Sequence, residues 1–433
     1  MLLNKKILFI TMDCWSSYNS ATTANTFAAL FKNYDSSQMA SLYLREEIPT
    51  SKQCCKFFLI SENAVLRSVF KPNTITGKVF YRDKMSIAQS DIFNIEKTKE
   101  RYKKLGVKRN RILLFAREIM WLIGKWKSKE LNEFLDDFKP DVVIYGMEGY
   151  CYFHRIVRYT LKYTGAKGIG YFWDDNFTYI QHKPTIGFLL HRYMQRRTLK
   201  KTVNTTKDFF AISPKMKQEA DEFFDIDCTI LTKPVDITID NCTRTPKEKI
   251  KIVYTENLKI GRLDTLKTIS EVLDEEKRLL DKVIFEIYSG TTIADEDLIS
   301  FNKAIKFKGS IPSEQVNDVQ RDADVLLLME DFQGENKLTA RLSFSTKTTD
   351  YLGQGKCIFA IGNSDIASIE YLSENDCAIC ASSKKEIRDA MLRLVENPNL
   401  ISEYGNKALQ TGKRNHSRAI MEERVEKIIG DKL

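Results

Sequence analysis

The sequence is poor in the residues that mark disulfide-rich, redox and metal proteins. Its 433 residues include only four histidines and nine cysteines. The cysteines are scattered and odd in number, and Cys54 and Cys55 are adjacent rather than spaced as metal ligands or a redox pair would be. We therefore expect the protein to work in the reducing cytoplasm.

Long apolar runs are missing as well. No stretch approaches the roughly 20 apolar residues that a membrane-spanning helix needs. The opening sequence MLLNKKILFITMDCW lacks the longer apolar region and small-residue exit of a cleavable signal peptide. The expected location is thus cytoplasmic, with peripheral contact on the inner face of the membrane left open.

Charge indicates the kind of partner. Lysine and arginine number 67 against 58 aspartate and glutamate, a formal net charge of +9, which favours anionic partners. The sequence has no zinc-finger spacing, no aromatic RNA-binding signature and no dense lysine tail, so we expect no nucleic acid. Anionic nucleotides or an anionic membrane surface fit the charge better.

The length predicts two domains of about 200 residues each. Strand patterns alternate with helical ones, which is typical of doubly wound α/β domains. The boundary is expected at 232–249, where two prolines interrupt the pattern. The predicted domains are 1–240, 241–412 and a C-terminal helix, 413–433, that could pack back on the first. Predicted strands are 6–11, 39–44, 56–60, 141–145, 168–172, 208–212 and 228–231, then 250–254, 283–288, 304–307, 325–329, 357–361 and 378–381.

The most informative segment is SFSTKTTDYLGQGKCIFAIG, at 343–362. Its hydroxyl-rich turn opens a predicted helix, whose first N–H groups are unpaired and carry partial positive charge. Ser345, Thr346 and Lys347 add donors and an ammonium at the same end, which would suit a nucleoside diphosphate. The same residues could simply cap their own helix. The preceding run ADVLLLME reads as a buried parallel strand, and ligands bind at the C-terminal ends of such strands.

Landmarks along essentially the whole chain resemble, in their order, glycosyltransferases of the two-domain GT-B architecture, especially the retaining family 4 (group 1) enzymes of bacterial polysaccharide synthesis. The resemblance implies an α/β fold of two Rossmann-like doubly wound domains facing a central cleft. The landmarks are FKPDVVIYG at 138–146, YFWDDN at 171–176, AISPKMKQEADEFF at 211–224, TKPVD at 232–236, IVYTENLKIGR at 252–262, FEIYSG at 285–290, FKGSIPSEQV at 307–316 and STKTTDYLGQGKCI at 345–358.

The resemblance implies a donor site in the second domain. Arg262 and Lys347 are expected on the diphosphate, and Asp350 stands where the family has the second glutamate of its paired-glutamate motif, which would accept from ribose hydroxyls. At the first glutamate's position this chain has Leu342, a departure for which Glu330, Glu335 or Ser343 could substitute. The implied donor-binding residues are Gly290, Gly309, Ile311, Ser345, Thr346, Lys347 and Asp350.

The first domain is expected to bind the acceptor. Polar residues after the first strand, and the paired aspartates of YFWDDN, lie where a doubly wound sheet presents its ligand, although the serines and threonines there could equally be helix caps. Glu148 and His154 follow the strand that ends near Tyr145, and a lone histidine is more often structural. The predicted acceptor-binding residues are Asp13, Ser16, Asn19, Ser20, Asp175 and His154.

The predicted chemistry is transfer of a sugar from a nucleotide-diphosphate donor to a glycan or polyprenyl-linked acceptor. The catalytic residues are predicted to be Lys347, Arg262, Glu148 and Asp174. Lysine and arginine would stabilise the departing diphosphate, so no metal and no further cofactor are expected, as the resemblance also implies. With retention, the leaving phosphate oxygen takes the acceptor proton; with inversion, Asp13, Asp174 or Glu148 must act as the base.

Three alternatives stay open. A non-catalytic nucleotide-sugar-binding subunit of the same fold would explain the missing glutamate. A nucleotide-sugar 2-epimerase shares the fold but needs several cleft carboxylates and histidines, and the second domain has only His416. A basic nucleic-acid-binding protein is supported by the net charge alone.

Two further segments bear on partners. RILLFAREIMWLIGKWK at 111–127 and HRYMQRRTLKK at 191–201 mix cationic with apolar residues at helical spacing, as in helices that lie on anionic membranes, although packing against a sheet gives the same pattern. The polar stretch 71–110 is expected to be an insertion near the cleft or a mobile loop.

Overall fold

The computed structural model describes residues 4–15, 22–82, 111–239, 248–332, 334 and 336–430. The chain forms two compact units. The first comprises Met1–Ile212, Met216–Leu231 and Glu422–Leu433, and the second comprises Ser213–Lys215 and Thr232–Met421.

The first unit is built on an eight-stranded sheet of order β4-β3-β2-β1-β5-β6-β7-β8. Every strand pair is parallel except β3–β4. The central strands are continuous apolar runs, as both faces of a parallel sheet are covered by helices, and all five residues of β1 are buried. The strands are β1 Ile7–Thr11, β2 Met39–Tyr43, β3 Lys56–Ile60, β4 Gly77–Tyr81, β5 Val142–Gly146, β6 Lys167–Phe172, β7 Asp208–Ala211 and β8 Cys228–Ile230.

Hydroxyl side chains fix where several helices of the first unit begin. Ser61, Ser128 and Thr185 each accept a hydrogen bond from a first-turn backbone N–H, the usual role of an N-cap. The helices are α1 Thr22–Leu30, α2 Glu62–Phe70, α3 Arg111–Ile123, α4 Lys129–Phe138, α5 Cys151–Thr164, α6 Ile186–Val203 and α7 Pro214–Phe224.

Strand β4 corrects part of the prediction for 71–110. The sequence predicted an insertion or mobile loop there, but Gly77–Tyr81 pairs antiparallel with β3 at the edge of the sheet. An edge strand faces solvent, so GKVFY has no fully buried residue: three of its residues are partly buried, and Lys78 and Tyr81 are exposed. Residues 83–110 lie outside the described part of the chain.

The second unit has a six-stranded, wholly parallel sheet of order β11-β10-β9-β12-β13-β14. Its core is a single cluster of aliphatic and aromatic side chains between the sheet and its helices. The strands are β9 Ile250–Tyr254, β10 Val283–Tyr288, β11 Ile305–Gly309, β12 Val325–Met329, β13 Cys357–Ile361 and β14 Ile379–Ala381.

Helices connect the strands of the second unit, and three more follow the last strand. The final helix carries the chain back to the first unit, where Lys167 Nζ donates to the Ile428 carbonyl at 2.5 Å and Arg424 donates to the Ile230 carbonyl at 2.8 Å. The helices are α8 Arg262–Glu275, α9 Asp295–Ser300, α10 Ser313–Asp322, α11 Asn336–Ala340, α12 Thr346–Gln354, α13 Ala367–Glu374, α14 Lys384–Glu396, α15 Asn399–His416 and α16 Arg418–Gly430.

Each sheet has one point where the strand order reverses. In the first unit this lies between β1 and β5, and in the second between β9 and β12. Connections leave such neighbours in opposite directions and open a crevice at their carboxyl ends, where ligands of doubly wound sheets bind. The two switch points therefore define where functional side chains are sought in each unit.

Candidate functional site

Four charged side chains gather at the switch point of the first sheet. Each stands two residues beyond the end of one of the neighbouring strands β2, β1, β5 and β6. The Arg45 guanidinium donates to Asp13, the carboxylate that follows β1. The residues are Asp13, Arg45, Glu148 and Asp174.

Glu148 has the most perturbed carboxyl of this group. Burial raises its pKa from 4.5 to about 8, and the negative charges of Asp174 and Asp13 add to the rise while Arg45 opposes it. Asp174 reaches solvent, yet enough protein surrounds it that desolvation, followed by the charge of Asp175, raises its pKa as well. Glu148 is therefore mostly a neutral acid at pH 7, able to donate a hydrogen bond.

The loop that carries Glu148 is held by three side chains. Asn176 donates to the Met147 carbonyl at 3.0 Å, and Gln195 donates to the Gly149 carbonyl at 2.7 Å. His154 Nε2 lies 2.8 Å from the Glu148 carbonyl, which can only accept, so Nε2 carries the proton. Three successive carbonyls are thus each bound by one side chain, and we name Asn176, His154 and Gln195 the carbonyl clamp.

His154 is predicted to bind acceptor, but the structure puts it inside the domain. Its side chain is fully buried in α5, and burial lowers its pKa to about 3, so the ring is neutral at pH 7. The contact that the structure shows is with the loop of Glu148, which makes it a positioning residue for that carboxyl. Direct contact with an acceptor stays a prediction.

The two aspartates of YFWDDN have different surroundings. Asp175 is buried, and its carboxylate accepts from the hydroxyl and backbone N–H of Thr178 and lies 3.9 Å from Arg192. Those contacts fix the turn after β6, while Asp174 is the one that reaches solvent. Ser16, Asn19 and Ser20 lie outside the described residues, so the predicted acceptor roles of these three and of Asp175 remain predictions.

Arg262 stands at the switch point of the second sheet. It is the first residue of α8, after Gly261 in the left-handed region at φ 79°. Its guanidinium donates to both oxygens of Glu330, at 3.0 and 3.3 Å, and lies 3.0 Å from Glu256. Burial raises the pKa of Glu330, and Arg262 opposes that rise. The arginine is therefore held in a fixed direction between the ends of β9 and β12.

Helix α12 begins as the sequence predicts. Ser345 is its N-cap and accepts from the Lys347 backbone N–H at 3.2 Å, and Thr346 is the first helical residue. Lys347 Nζ lies 3.9 Å from Asp350, whose other oxygen accepts from Lys233 Nζ at 2.6 Å. The capping interpretation is thus confirmed, and the ammonium of Lys347 lies on the first turn of the same helix, where its contact with a diphosphate stays a prediction.

Tyr351 connects α12 with the switch point. Its hydroxyl lies 3.4 Å from Thr255 Oγ1, just past β9, and its pKa is raised by burial and then by Glu256. The charges of Glu256, Asp350 and Arg262 all act on the Tyr351 hydroxyl, and Lys347 lies beside Asp350. The structure therefore brings Arg262, Asp350 and Lys347 to one edge of the second sheet.

The predicted glycine loops adjoin one another at the end of the same sheet. Gly309, at φ 75°, ends β11, and its carbonyl accepts from the Ser289 N–H at 2.9 Å. A Cβ at Gly290 would lie 3.6 Å from Ser310. Ile311 is half-buried beside them. The structure therefore brings these three positions together, and their contact with a nucleotide stays a prediction.

Leu342 cannot replace the glutamate that the family has at its position. Its side chain is fully buried. Of the suggested substitutes, Glu330 is committed to Arg262, Ser343 is half-buried, and Glu335 lies outside the described residues. Leu342 therefore cannot make the polar contact that the resemblance implies for a glutamate at its position.

Sequence reasoning missed four residues of these two edges: Arg45, Glu256, Lys233 and Gln195. Arg45 and Glu256 carried a usable signal, because each comes within two residues of the end of a predicted strand, much as Asp13 and Glu148 come shortly after theirs. Lys233 and Gln195 carried none, since their partners are 117 and 46 residues away.

No metal site is found in the described part of the chain, where no three His, Cys, Asp or Glu side chains are grouped to hold an ion. Cys377 and Cys380 have the C-x-x-C spacing, but both are free, and burial raises the pKa of each thiol to about 12. Neither supplies a thiolate at neutral pH.

No protein-family model matches the sequence, and a search of curated sequences gives no match. Solved structures do match in fold. HepE of Anabaena, in complex with UDP, has a TM-score of 0.63 at 8% identity and covers 99% of this chain and 100% of its own. A trehalose-6-phosphate structure from E. coli, bound with UDP-2-fluoro glucose, has 0.58 at 10%, covering 99% of each chain.

An α,α-trehalose-phosphate synthase (UDP-forming) from Burkholderia xenovorans, in complex with glucose-6-phosphate, has a TM-score of 0.58 at 9% identity and covers 98% of this chain and 100% of its own. Likeness at such identities concerns the fold. The resemblance to GT-B glycosyltransferases predicted from the sequence is confirmed at that level: the chain has the GT-B fold of two Rossmann-like α/β domains.

Proposed function

We propose that the protein is a glycosyltransferase that moves a sugar from a nucleotide-diphosphate donor to an acceptor hydroxyl. The main support for this proposal is that the Arg262 guanidinium and the Lys347 ammonium lie at one edge of the second sheet, beside the N-terminus of α12. Fixed positive charge at the carboxyl end of a parallel sheet suits a diphosphate. Three proteins that share the fold over almost the whole chain are solved with UDP, a UDP-sugar or a sugar phosphate.

In this proposal, the second unit binds the donor. Arg262 and Lys347 neutralise the diphosphate as the bond between C1 of the sugar and the phosphate oxygen breaks, and the positive end of the α12 dipole adds to their effect. Asp350, held between Lys233 and Lys347, accepts from the ribose hydroxyls. The glycine loops at Gly290 and Gly309, with Ile311, contact the base. This division of labour needs no metal ion and no further cofactor.

Arg262 must also serve in a site that holds two carboxylates. Glu330 fixes the guanidinium through two hydrogen bonds, and Glu256 occupies its remaining side at 3.0 Å. A bound diphosphate competes with Glu256, the more exposed of the two, and leaves Glu330 as the orienting partner. The proposal thus assigns Glu256 the role of holding Arg262 ready while the donor is absent.

Glu148 acts on the acceptor side. With a pKa of about 8 it is mainly protonated at pH 7, so it donates a hydrogen bond to a sugar hydroxyl rather than removing a proton. We propose transfer with retention, in which the leaving phosphate oxygen takes the proton of the acceptor hydroxyl as the new C1–O bond forms. The carbonyl clamp positions the Glu148 carboxyl, and Asp174 and Asp13 bind acceptor hydroxyls.

We further propose a glycan or polyprenyl-linked acceptor and a cytoplasmic role in bacterial surface polysaccharide or glycoconjugate synthesis. The support is the net charge of +9 and the predicted resemblance to polysaccharide enzymes. The buried Leu342 favours one alternative, a subunit of the same fold that binds nucleotide sugar without turnover.

The test is a thermal-shift panel with UDP, GDP, ADP, CMP and their sugars on the wild-type protein. A ligand that binds only the folded state raises the melting temperature. We expect one nucleoside diphosphate and its sugars to do so, and then to see nucleoside diphosphate released from that sugar when an acceptor is supplied. A thermal shift without release of nucleoside diphosphate in the presence of any acceptor would favour the non-catalytic binding subunit. No thermal shift with any nucleotide would contradict the proposed donor site.

A further inference from the structure

Helix α3 exposes a line of large apolar side chains. Ile112, Ile119 and Leu122 are 77%, 58% and 62% exposed, and with Ile123 they follow the 3.6-residue period along one side of the helix. The other side buries Trp121 and the charged Glu118. An ordinary surface helix keeps its apolar residues on the core and its charges in water, so the exposed line is unusual.

The charged residues on the inner side of α3 make structural contacts. Glu118 accepts the backbone N–H groups of Cys151 and Tyr152, at 2.7 and 3.0 Å, and so caps the N-terminus of α5. Arg117 donates to Glu62 and lies over the ring of Tyr152 at 5.2 Å. These contacts fix which side of α3 faces inward, and they give no reason for isoleucine and leucine on the side that faces out.

A second exposed apolar stripe lies on the neighbouring helix. The first half of α6 exposes Ile186, Leu190 and Tyr193, with Ile186 at 88%. Phe115 of α3 meets His191 of α6 edge-on, with ring centroids 5.8 Å apart. Ile112 and Ile119 stand three residues before and four after Phe115, on the same side of the helix. The two helices therefore pack against each other, and we name their exposed apolar side chains together the apolar face: Ile112, Ile119, Leu122, Ile186, Leu190 and Tyr193.

The exposed charges on the two segments that carry the apolar face have one sign. Residues 179–203 contain no aspartate or glutamate, and residues 111–128 contain only the buried Glu118. The exposed charged side chains of these two segments are lysines and arginines: Lys125, Lys127, Lys183, Arg197, Lys200 and Lys201. Exposed apolar side chains flanked by exposed cations on the same two segments match an anionic lipid surface, whose interface takes apolar groups while its headgroups attract lysine and arginine.

The geometry suits a helix that lies on a bilayer. Helix α3 has 13 residues, and no helix among the described residues is long and apolar enough to span a membrane. Isolated apolar residues on a protein surface are ordinary, but several large ones exposed on two helices that pack together indicate an interaction site.

We propose that the apolar face of α3 and α6 docks the protein onto an anionic membrane. Isoleucine, leucine and tyrosine side chains enter the interfacial layer, and the surrounding lysines and arginines contact the lipid phosphates. Docking itself does not depend on the proposed transferase activity. Where the acceptor is lipid-linked, which does rest on the proposed function, docking brings the protein to the surface that holds it.

Vesicle flotation tests the proposal. We expect the full chain to float with vesicles of phosphatidylcholine and phosphatidylglycerol, and to bind vesicles of phosphatidylcholine alone far more weakly. The double variant Ile119→Asn/Leu122→Asn should lower binding to the anionic vesicles by about tenfold or more, since both side chains leave the interface. The matched control is Ile299→Asn, an equally exposed isoleucine at 85% on α9, whose first turn holds Asp295, Glu296 and Asp297.

A second variant keeps the test decisive if the first one folds poorly. Arg197→Gln/Lys201→Gln leaves the apolar residues in place and should weaken binding to anionic vesicles several-fold, with a smaller dependence on salt than the wild type. All folded variants should keep the nucleotide-induced thermal shift, so failure of docking is separable from failure of the donor site. Equal binding by the wild type and both variants, no binding to anionic vesicles, or wild-type dimers that the Ile119→Asn/Leu122→Asn variant abolishes, would each overturn the proposal.

Discussion

The carboxyl ends of the two sheets have the same topology and opposite chemistry. At the switch point of the first sheet stand three carboxyls, Asp13, Glu148 and Asp174; Arg45 pairs with Asp13 and opposes the rise of the Glu148 pKa, which still reaches about 8. At the switch point of the second sheet, Arg262 is fully engaged by two carboxylates and keeps its charge. The position of a site is thus set by the strand order, while its chemistry is set by which side chains stand just beyond the strands.

The two edges also differ in how their central side chains are oriented. Glu148 is oriented through its backbone, by three side chains on successive carbonyls, which leaves its carboxyl available. Arg262 is oriented through its own guanidinium, by Glu330. Orientation through the backbone suits a side chain that acts on a substrate hydroxyl. Orientation through the guanidinium suits a side chain that binds an anion.

The largest expected effect comes from removing the perturbed carboxyl of the first edge. Glu148→Ala should lower turnover by about 10²- to 10³-fold, the usual result of losing one hydrogen-bond donor to the reacting groups. Glu148→Gln should recover part of that loss, because its amide keeps a donor of the same shape. Steady-state kinetics measure both, with exposed Glu133→Ala as the control. A Gln variant as slow as the Ala variant would argue that Glu148 works as an ionised base.

The carbonyl clamp should matter next. Gln195→Met removes the hydrogen bond to the Gly149 carbonyl, and a loop displaced by a fraction of an ångström lowers kcat by about tenfold. Affinity for nucleotide should not change. The readout that separates positioning from simple destabilisation is the pH dependence of kcat, which should shift as the surroundings of Glu148 change. A uniform loss of rate at every pH would point to a general structural role.

A smaller change is expected at the second edge, in the opposite direction. Glu256→Gln takes a negative charge from beside Arg262 and from the place where a diphosphate would bind, so affinity for the nucleoside diphosphate should rise several-fold. Isothermal titration calorimetry measures it, with exposed Glu314→Gln as the control. Weaker binding in the Glu256 variant would mean that this carboxylate contacts the ligand favourably.

The smallest effect is on stability. The pKa of Glu148 is higher in the folded state than the ordinary 4.5, so the folded state binds more protons and its free energy of unfolding falls as pH rises from 4.5 toward about 8. Glu148→Gln should flatten that fall. Urea unfolding at about pH 5 and about pH 8 tests it, and an unchanged slope in the variant would place the stability change on another group.

Much of the fold could be predicted because parallel strands that are buried on both faces have continuous apolar sequences. VLLLM of β12 and CIFAI of β13 are examples, and their predicted bounds match the structure. Strand β4 was missed because an edge strand lacks that signature.

The grouping of the candidate residues was more predictable than their surroundings. Asp13, Glu148 and Asp174 each follow a strand, and the structure places all three at the switch point, while their roles stay predictions. Asp174 and Asp175 are adjacent and chemically identical, and only the packing of Arg192 and Thr178 decides which of them is buried. The pairing of Arg262 with Glu330 joins residues 68 positions apart and left no trace in local sequence.

The most direct measurement of the central claim is calorimetric titration of the nucleoside diphosphate identified by the thermal-shift panel into four proteins. These are the wild type, Arg262→Ala, Lys347→Ala and Lys303→Ala, the last removing a cation just before β11, at the amino end of the second sheet. The account predicts a loss of about tenfold or more in affinity for each of the first two variants and none for Lys303→Ala. Equal affinities in all four proteins would contradict a diphosphate site at the carboxyl end of the second sheet.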